Sequence, residues 1–207
     1  MHRRRTLVVA LALSPLLARA HHEGGAQFTE LKPEQPVESG DRIEVIEFFW
    51  YGCPHCYALE PVLEKWLPKL PADVAFRRVP AILNQRWAHD AGIFHALDAL
   101  GVVDKLHRPL FDAIHRDRLR TDESKALGDW LRTRGVDPAR FEQTLKSFGV
   151  QAKVRRAAQL SASYKIDGVP ALAVHGRYLI GARGFEEMLG IADRLIAATR
   201  KTLAAKR

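Results

Sequence analysis

Residues 50–57 read WYGCPHCY, and this stretch holds both cysteines of the 207-residue chain. It follows an apolar run, IEVIEFFW at residues 43–50, whose β-branched and aromatic side chains predict a largely buried strand. Residues 54–67 carry apolar side chains at helical spacing and predict a helix that begins at the cysteines. Residues 74–82 (VAFRRVPAI) predict a second strand, and we expect it to pair in parallel with the first.

The rest of the chain extends this β-α-β unit in two steps. Residues 85–165 show only helical patterns, separated by capping residues and glycines, and predict an inserted all-helical domain. A hairpin over residues 169–182 and an amphipathic helix over residues 185–204 follow. We therefore expect an α/β fold in which residues 41–84 and 166–207 form one discontinuous domain. The predicted helices of the insertion cover residues 86–100, 103–115, 122–134, 138–147 and 150–165.

Residues 1–20 have the pattern of a secretory signal peptide. Three arginines at residues 3–5 precede an apolar run at residues 7–17 and a small-x-small cleavage site at residues 18–20. The run is shorter than the ~20 residues that span a bilayer, so we predict export without an anchor. The two arginines next to Thr6 also fit a twin-arginine signal loosely. The polar, Gly- and Pro-rich residues 21–40 predict a flexible segment.

Composition and charge narrow the function classes. The chain is 47% hydrophobic and 27% charged, an ordinary balance for a globular protein. Residues 1–20 contain four arginines and no acid, so their removal lowers the formal charge from +8 to +4. The remaining basic residues alternate with acids, as in RDRLRTDESK at residues 116–125. We therefore expect no nucleic-acid partner.

The two cysteines stand three positions apart, at residues 53 and 56, where the predicted helix begins. This spacing places their Cβ atoms about 5–6 Å apart, close enough for a disulfide after a small adjustment. As a structural cross-link, so short a ring would contribute only about 2 kcal/mol in the loop-entropy model. Stability alone therefore does not explain the pair.

Three kinds of functional site compete for this Cys-x-x-Cys motif. A structural zinc site needs four ligands, and His55 and His89 occur without a second cysteine pair, so we expect no metal. Haem attachment needs a histidine directly after the second cysteine, where this chain has Tyr57. A redox-active dithiol at the start of a helix is the interpretation that the residues favour.

The expected chemistry depends on the position of Cys53 at the helix N-cap. There its sulfur faces unpaired backbone N–H groups and the positive end of the helix dipole, which lower the pKa of the thiol. Because the dipole contributes only about 0.3–1 kcal/mol, hydrogen bonds from N–H groups and the ring of His55 must supply the larger part. A stabilised thiolate favours the reduced form and makes the disulfide an oxidant.

The sequence EFFWYGCPHCY at residues 47–57, followed at long range by GVPA at residues 168–171, resembles the DsbA family of thiol:disulfide oxidoreductases. These are thioredoxin-fold proteins with a helical insertion. The resemblance implies that Cys53 and Cys56 form the redox-active disulfide, with Cys53 as the exposed nucleophile and Cys56 as its buried partner. The site residues implied with them are Pro54 and His55 between the cysteines, and Val169 and Pro170, which match the cis-proline loop that binds substrate peptides.

Glu47, in the strand that leads into the cysteines, matches an acid that many DsbA-family members bury beneath the active site. The resemblance implies that it assists proton movement at Cys56, and the alternative is an exposed position at a sheet edge. A carboxyl group buried among apolar residues must be paired or protonated, and burial raises its pKa. The second strand contains Arg77 and Arg78 but no lysine that aligns with the family, so the basic partner of Glu47 stays open.

Aromatic residues near the motif predict an apolar rim for unfolded substrates, with ordinary core packing as the alternative. The rim would consist of Trp50 and Tyr51, together with Tyr57 and Trp87.

Taken together, the residues and the resemblance imply an exported dithiol oxidase of the periplasm that introduces disulfides into newly translocated proteins. We expect a monomer without a cofactor. Its partners would be reduced or unfolded exported polypeptides and a DsbB-type membrane quinone oxidoreductase that reoxidises it. The alternatives are a disulfide isomerase or reductase of the same fold and, outside redox chemistry, a metal-binding chaperone or a holdase.

Overall fold

A computed structural model describes residues 28–181 and 184–205, so the predicted signal peptide lies outside the described residues. Within these ranges, no helix is both long enough and apolar enough for a membrane span. The strands are β1 (Thr29–Glu30), β2 (Ile43–Phe49), β3 (Val74–Pro80), β4 (Ala171–Val174) and β5 (Tyr178–Ile180). The helices are α1 (Pro54–Trp66), α2 (Gln85–Ala99), α3 (Val103–His115), α4 (Ser124–Arg132), α5 (Pro138–Leu145), α6 (Phe148–Ser163) and α7 (Phe185–Ala204).

The five strands form one sheet in the order β1-β5-β4-β2-β3. β2 pairs in parallel with β3, as predicted, and antiparallel with β4, which continues into the predicted hairpin with β5. Every residue of β2 is buried because the strand lies inside the sheet and both of its faces are covered. This explains the nearly continuous apolar run in its sequence.

The two faces of β2 look toward different helices, because successive side chains of a strand alternate between faces. Ile43 and Val45 pack in a cluster with residues of α1 and α7. Ile46 and Phe48 belong to a second cluster, which includes residues of α6. Glu47 therefore lies on the face that α1 covers.

The helices α2 to α6 lie between β3 and β4 in the sequence, and they occupy the stretch predicted to be all-helical. Their apolar faces share one cluster with Tyr51 and Cys56, so the inserted helices pack against the cysteine motif. The predicted helix boundaries differ from the observed ones by at most two residues. α6 begins two residues earlier than predicted because the side chain of Ser147 accepts the N–H of Val150 and caps the helix. The proposed domain boundaries at residues 84/85 and 165/166 stay a prediction.

The predicted flexible segment over residues 21–40 is wrong for its described part. β1 adds an antiparallel strand to the edge of β5, and Leu31 is buried. The N–H of Gln35 donates to the carbonyl of Gly176 in the β4–β5 turn, at 2.7 Å. Gly176 has φ +65, and a Cβ there would collide with the Gln35 carbonyl. This contact between distant residues has no local signal in the sequence.

Candidate active site

Cys53 occupies the N-cap of α1, as the sequence predicts. Its backbone is extended, with φ −86 and ψ 117, and Pro54 takes the first helical position, where a missing N–H costs nothing. The sulfur accepts the backbone N–H of Cys56 at 3.4 Å. As a thiol it also donates to the carbonyl of Val169, likewise at 3.4 Å. Cys53 therefore sits between the helix start and the loop that precedes β4.

The prediction that Cys53 is exposed needs correction. Cys53 is only 7% exposed, because the Val169–Pro170 loop, whose peptide bond is cis, lies against its sulfur. Cys56 is completely buried, and both cysteines carry free thiols. Cys53 is thus the one sulfur of the pair that a substrate can approach. Pro54 and His55, between them, are exposed.

The proton affinities of the two sulfurs are shifted in opposite directions. The pKa of Cys53 falls to about 6, first because the thiol of Cys56 donates a hydrogen bond to its thiolate. Burial opposes this shift, while the backbone N–H groups of Cys56 and His55 and then the charge of His55 reinforce it. Burial raises the pKa of Cys56 far above its usual range, and the charge on Cys53 adds to this. His55 thus has a smaller part than the sequence analysis assigned to it.

Glu47 is completely buried on the α1 face of β2, beneath the cysteines. Burial, followed by the charge of Glu60, raises its pKa to about 8, although the charge of Arg78 opposes the shift. Arg78 is the basic partner that the sequence left open, and its Nε lies 3.0 Å from Glu47 Oε2. This is a close contact without hydrogen-bond alignment, since within the described residues neither Glu47 oxygen has a hydrogen-bond partner.

Two residues that the sequence analysis missed continue this buried network. Glu60 accepts a hydrogen bond from Arg78 Nη2 at 3.2 Å, and its Oε1 lies 3.3 Å from Nε2 of His107. The other ring nitrogen of His107 is 2.9 Å from the hydroxyl of Tyr51. One signal could have indicated Glu60: it falls one helical turn after Cys56 on the otherwise apolar face of α1. No local signal marks His107.

The predicted aromatic rim divides into exposed and buried members. Tyr51 is buried at 1% exposure, so its assignment to substrate binding is wrong and the core alternative holds. Trp50 is partly exposed, stacks on Trp87 with ring centroids 4.7 Å apart, and donates from its indole to Asp90 at 2.8 Å. Tyr57 is also partly exposed. The surface beside Cys53 therefore keeps Trp50, Trp87 and Tyr57 as apolar contacts.

Among the described residues, no group of three or more His, Cys, Asp or Glu side chains is arranged to hold a metal ion. His89, a zinc candidate in the sequence, instead makes a 2.9 Å hydrogen bond to the backbone carbonyl of Thr121.

Comparisons with known proteins agree with this geometry. Residues 72–191 match the family model described as a DSBA-like thioredoxin domain. The chain is 39% identical over 203 residues to the thiol:disulfide interchange protein DsbA of Pseudomonas syringae pv. tomato, and the match covers 96% of this chain and 95% of that protein. This chain belongs to the DsbA family. It is an oxidoreductase of thiol–disulfide interchange, with Cys53 and Cys56 as its Cys-x-x-Cys pair.

Solved structures support the membership of the DsbA family. The crystal structure of Pseudomonas aeruginosa DsbA aligns with a TM-score of 0.81 at 39% identity, covering 87% of this chain and 95% of that one. DsbA from Xylella fastidiosa aligns with a TM-score of 0.80 at 30% identity, covering 84% and 96%. A further relative, DsbA of Azotobacter vinelandii, is 41% identical over 85% of this chain and 84% of its own. The predicted thioredoxin fold with a helical insertion is confirmed.

Proposed function

We propose that this DsbA-family chain is an exported dithiol oxidase that gives its Cys53–Cys56 disulfide to newly translocated polypeptides. The observation that carries the proposal is the opposite shift of the two sulfurs. Reduction creates a Cys53 thiolate that receives hydrogen bonds from Cys56, whereas a disulfide sulfur carries no charge for these donors to stabilise. The reduced state is therefore favoured, and transfer of the disulfide to a substrate runs downhill.

The exchange needs one proton at the buried sulfur. A substrate thiolate attacks Sγ of Cys53, the Cys53–Cys56 bond breaks, and Cys56 takes a proton from the protonated carboxyl of Glu47. A second substrate thiolate then attacks the substrate sulfur of the mixed disulfide and expels Cys53 as a thiolate. The substrate dithiol loses two electrons and two protons. The enzyme gains the two electrons. One of the two substrate protons restores the carboxyl of Glu47, whose own proton now rests on Cys56, and the other is released.

The remaining site residues position the substrate and tune the sulfur. The Val169–Pro170 loop, which touches the Cys53 sulfur, binds the peptide on either side of the attacking cysteine. Trp50 supplies an apolar contact beside it. Pro54 starts α1, and His55 offers its backbone N–H and its charge to the thiolate. Residues 1–20 direct the protein to the periplasm, where a DsbB-type quinone oxidoreductase restores the disulfide, and the protein acts as a monomer.

Equilibration with glutathione buffers tests the direction of the reaction. The reduced fraction, measured by thiol alkylation and mass spectrometry, gives the potential of the Cys53–Cys56 pair. We expect a value more positive than about −180 mV, which is typical of disulfide isomerases. A value below about −230 mV would make the protein a reductant and overturn the proposal.

Two serine variants separate the oxidase from the other candidate functions. Cys56→Ser keeps the nucleophile Cys53 but not the thiol that resolves the intermediate, so it should accumulate mixed disulfides when its Cys53 thiolate attacks the disulfide of a substrate peptide, whereas Cys53→Ser should form none. A holdase would still suppress aggregation in the Cys53→Ser variant. A metal-binding chaperone would co-purify with stoichiometric zinc or copper under reducing conditions, and either result would favour the corresponding alternative.

A further inference from the structure

A continuous polar network lies behind Cys56, and its members come from different elements of the fold. Arg78 of β3 contacts Glu47 of β2 at 3.0 Å and Glu60 of α1 at 3.2 Å. Beyond Glu60, His107 of α3 makes the next contact, at 3.3 Å. One arginine therefore faces two carboxyl groups, and His107 contacts only one of them.

The contact with the carboxylate of Glu60 fixes which nitrogen of His107 carries the proton. Burial lowers the pKa of His107, so the ring is neutral, although Glu60 opposes this shift. An ionised carboxylate only accepts hydrogen bonds, so Nε2 of His107 must donate to Glu60. Nδ1 is then an acceptor, and it receives the hydroxyl of Tyr51 at 2.9 Å. Tyr51 and His107 together direct one N–H at Glu60.

This N–H makes the two glutamates unequal. Burial by itself would raise the pKa of Glu60, but the hydrogen bond from His107 and the charges of Arg78 and Arg108 outweigh burial and lower it. Glu47 has the contact with Arg78 but, among the described residues, no aligned hydrogen-bond donor, and the charge of Glu60 raises its pKa further. Two interacting carboxyl groups titrate as a pair, and the better hydrogen-bonded member is ionised first.

We propose that His107 is a positioning residue for the exchange reaction. By donating to Glu60 it keeps that carboxyl ionised and leaves the proton of the buried pair on Glu47, the carboxyl whose charge acts on Cys56. The inference rests on the proposed function, and it assigns a task to a residue that does not touch either sulfur. Titratable and charged groups from the surrounding elements also affect Glu47, Glu60 and His107. They are Cys56 of α1, Arg78 of β3, Asp104 and Arg108 of α3, Tyr51 after β2, and Asp90 of α2, which acts through Tyr51.

The position of the proton can be observed directly. In protein labelled with ¹³C at glutamate carboxyl carbons, Glu47→Gln and Glu60→Gln assign the two signals. At pH 6.5 we expect Glu47 to be protonated and Glu60 to be ionised in the wild type. In His107→Leu the ratio of the Glu47-protonated to the Glu60-protonated form should fall at least tenfold. His107→Gln, whose amide can donate from nearly the same place, should restore most of the ratio.

A matched control lies on the same side of the molecule. His95 of α2 and His107 line one cavity of about 570 Å³, but within the described residues neither ring nitrogen of His95 has a hydrogen-bond partner. His95→Leu should leave the proton on Glu47. If His107→Leu also leaves it there, or if His95→Leu moves it equally, the proposal is wrong.

The rate of single-turnover oxidation of a dithiol peptide at pH 7 tests whether the position of this proton affects the reaction. We expect His107→Leu to be several-fold slower than the wild type, and both His107→Gln and His95→Leu to be close to it. Failure of the wild type to oxidise the peptide would overturn the proposed function itself. A wild type that oxidises the peptide no faster than His107→Leu would overturn only the role of His107.

Discussion

Glu44 and Glu47 stand three residues apart on β2, and their side chains are 1% and 0% exposed. Glu44 accepts Arg77 Nε at 3.1 Å and the backbone N–H of Glu38 at 3.0 Å on one oxygen, and Arg77 Nη2 at 3.4 Å on the other. Glu47 has the 3.0 Å contact with Arg78 but, among the described residues, no hydrogen bond. The same acid in the same strand is thus surrounded by directed donors at one position and lacks them, within the described residues, at the other.

The difference follows from the pleat of the strand. Residues 44 and 47 differ by an odd number, so their side chains point to opposite faces of the sheet. Arg77 and Arg78 do the same on β3, and the parallel register pairs Arg78 with Glu47. The side chain of Glu44 lies against the N-terminal segment, whose backbone donates a hydrogen bond to it. The side chain of Glu47 lies on the face that α1 covers, and α1 contributes the second acid, Glu60. The first pair is held by directed hydrogen bonds, whereas the second lies in a buried network with Glu60.

Removal of Arg77 should destabilise the protein more than the other changes considered. Arg77→Met leaves the buried carboxylate of Glu44 without its cation, and such a loss costs about 3 kcal/mol of unfolding free energy. Urea unfolding measures this cost. The double variant Glu44→Gln, Arg77→Met should recover part of it, because no unpaired charge remains. The thiolate titration of Cys53 should not change, and a cost below about 1 kcal/mol would contradict the structural role of the pair.

The buried carboxyl of Glu47 should make the stability of the protein depend on pH. Because the pKa of Glu47 is raised to about 8 in the folded protein, ionisation of this buried carboxyl lowers the unfolding free energy. This loss is absent below about pH 4.5, grows between about pH 4.5 and pH 8, and is complete above about pH 8. Relative to Glu47→Gln, the wild type should therefore lose on the order of 3 kcal/mol between pH 5 and pH 8. Urea unfolding of the disulfide form avoids the titration of the sulfurs. Glu44→Gln is the control, and parallel pH profiles for wild type and Glu47→Gln would contradict the burial of a protonated acid.

Like the carboxylate of Glu44, the thiolate of Cys53 should be stabilised mainly by the hydrogen-bond donors directed at it. Cys56→Ala removes the strongest donor and should raise the pKa of Cys53 from about 6 by roughly one unit. His55→Ala removes only a weaker charge effect and should raise it by less. Thiolate absorbance against pH compares the two variants. A larger shift for His55→Ala would restore the dominant role that the sequence analysis gave to that ring.

Most of the fold was predictable because its signals are local. The apolar run of β2, the cap at Cys53 and the helical spacing of α1 lie within 24 consecutive residues, from Ile43 to Trp66. Apolar periodicity likewise indicated α2 to α7 to within about two residues. β1 escaped prediction because it has only two exposed residues, and its place depends on backbone hydrogen bonds to β5 and to the turn before it.

From its residues alone, the chain specifies a dithiol at the start of a helix and a sulfur prepared to carry charge, because backbone N–H groups and the helix dipole act over one turn. Folding was needed to assign Arg78 to Glu47, to place Glu60 beside them, and to bring His107 to Glu60 from 47 residues away. These contacts depend on strand register and on how α3 packs against α1. Neither is encoded in the residues next to the cysteines, and together they bring two buried acids to one arginine.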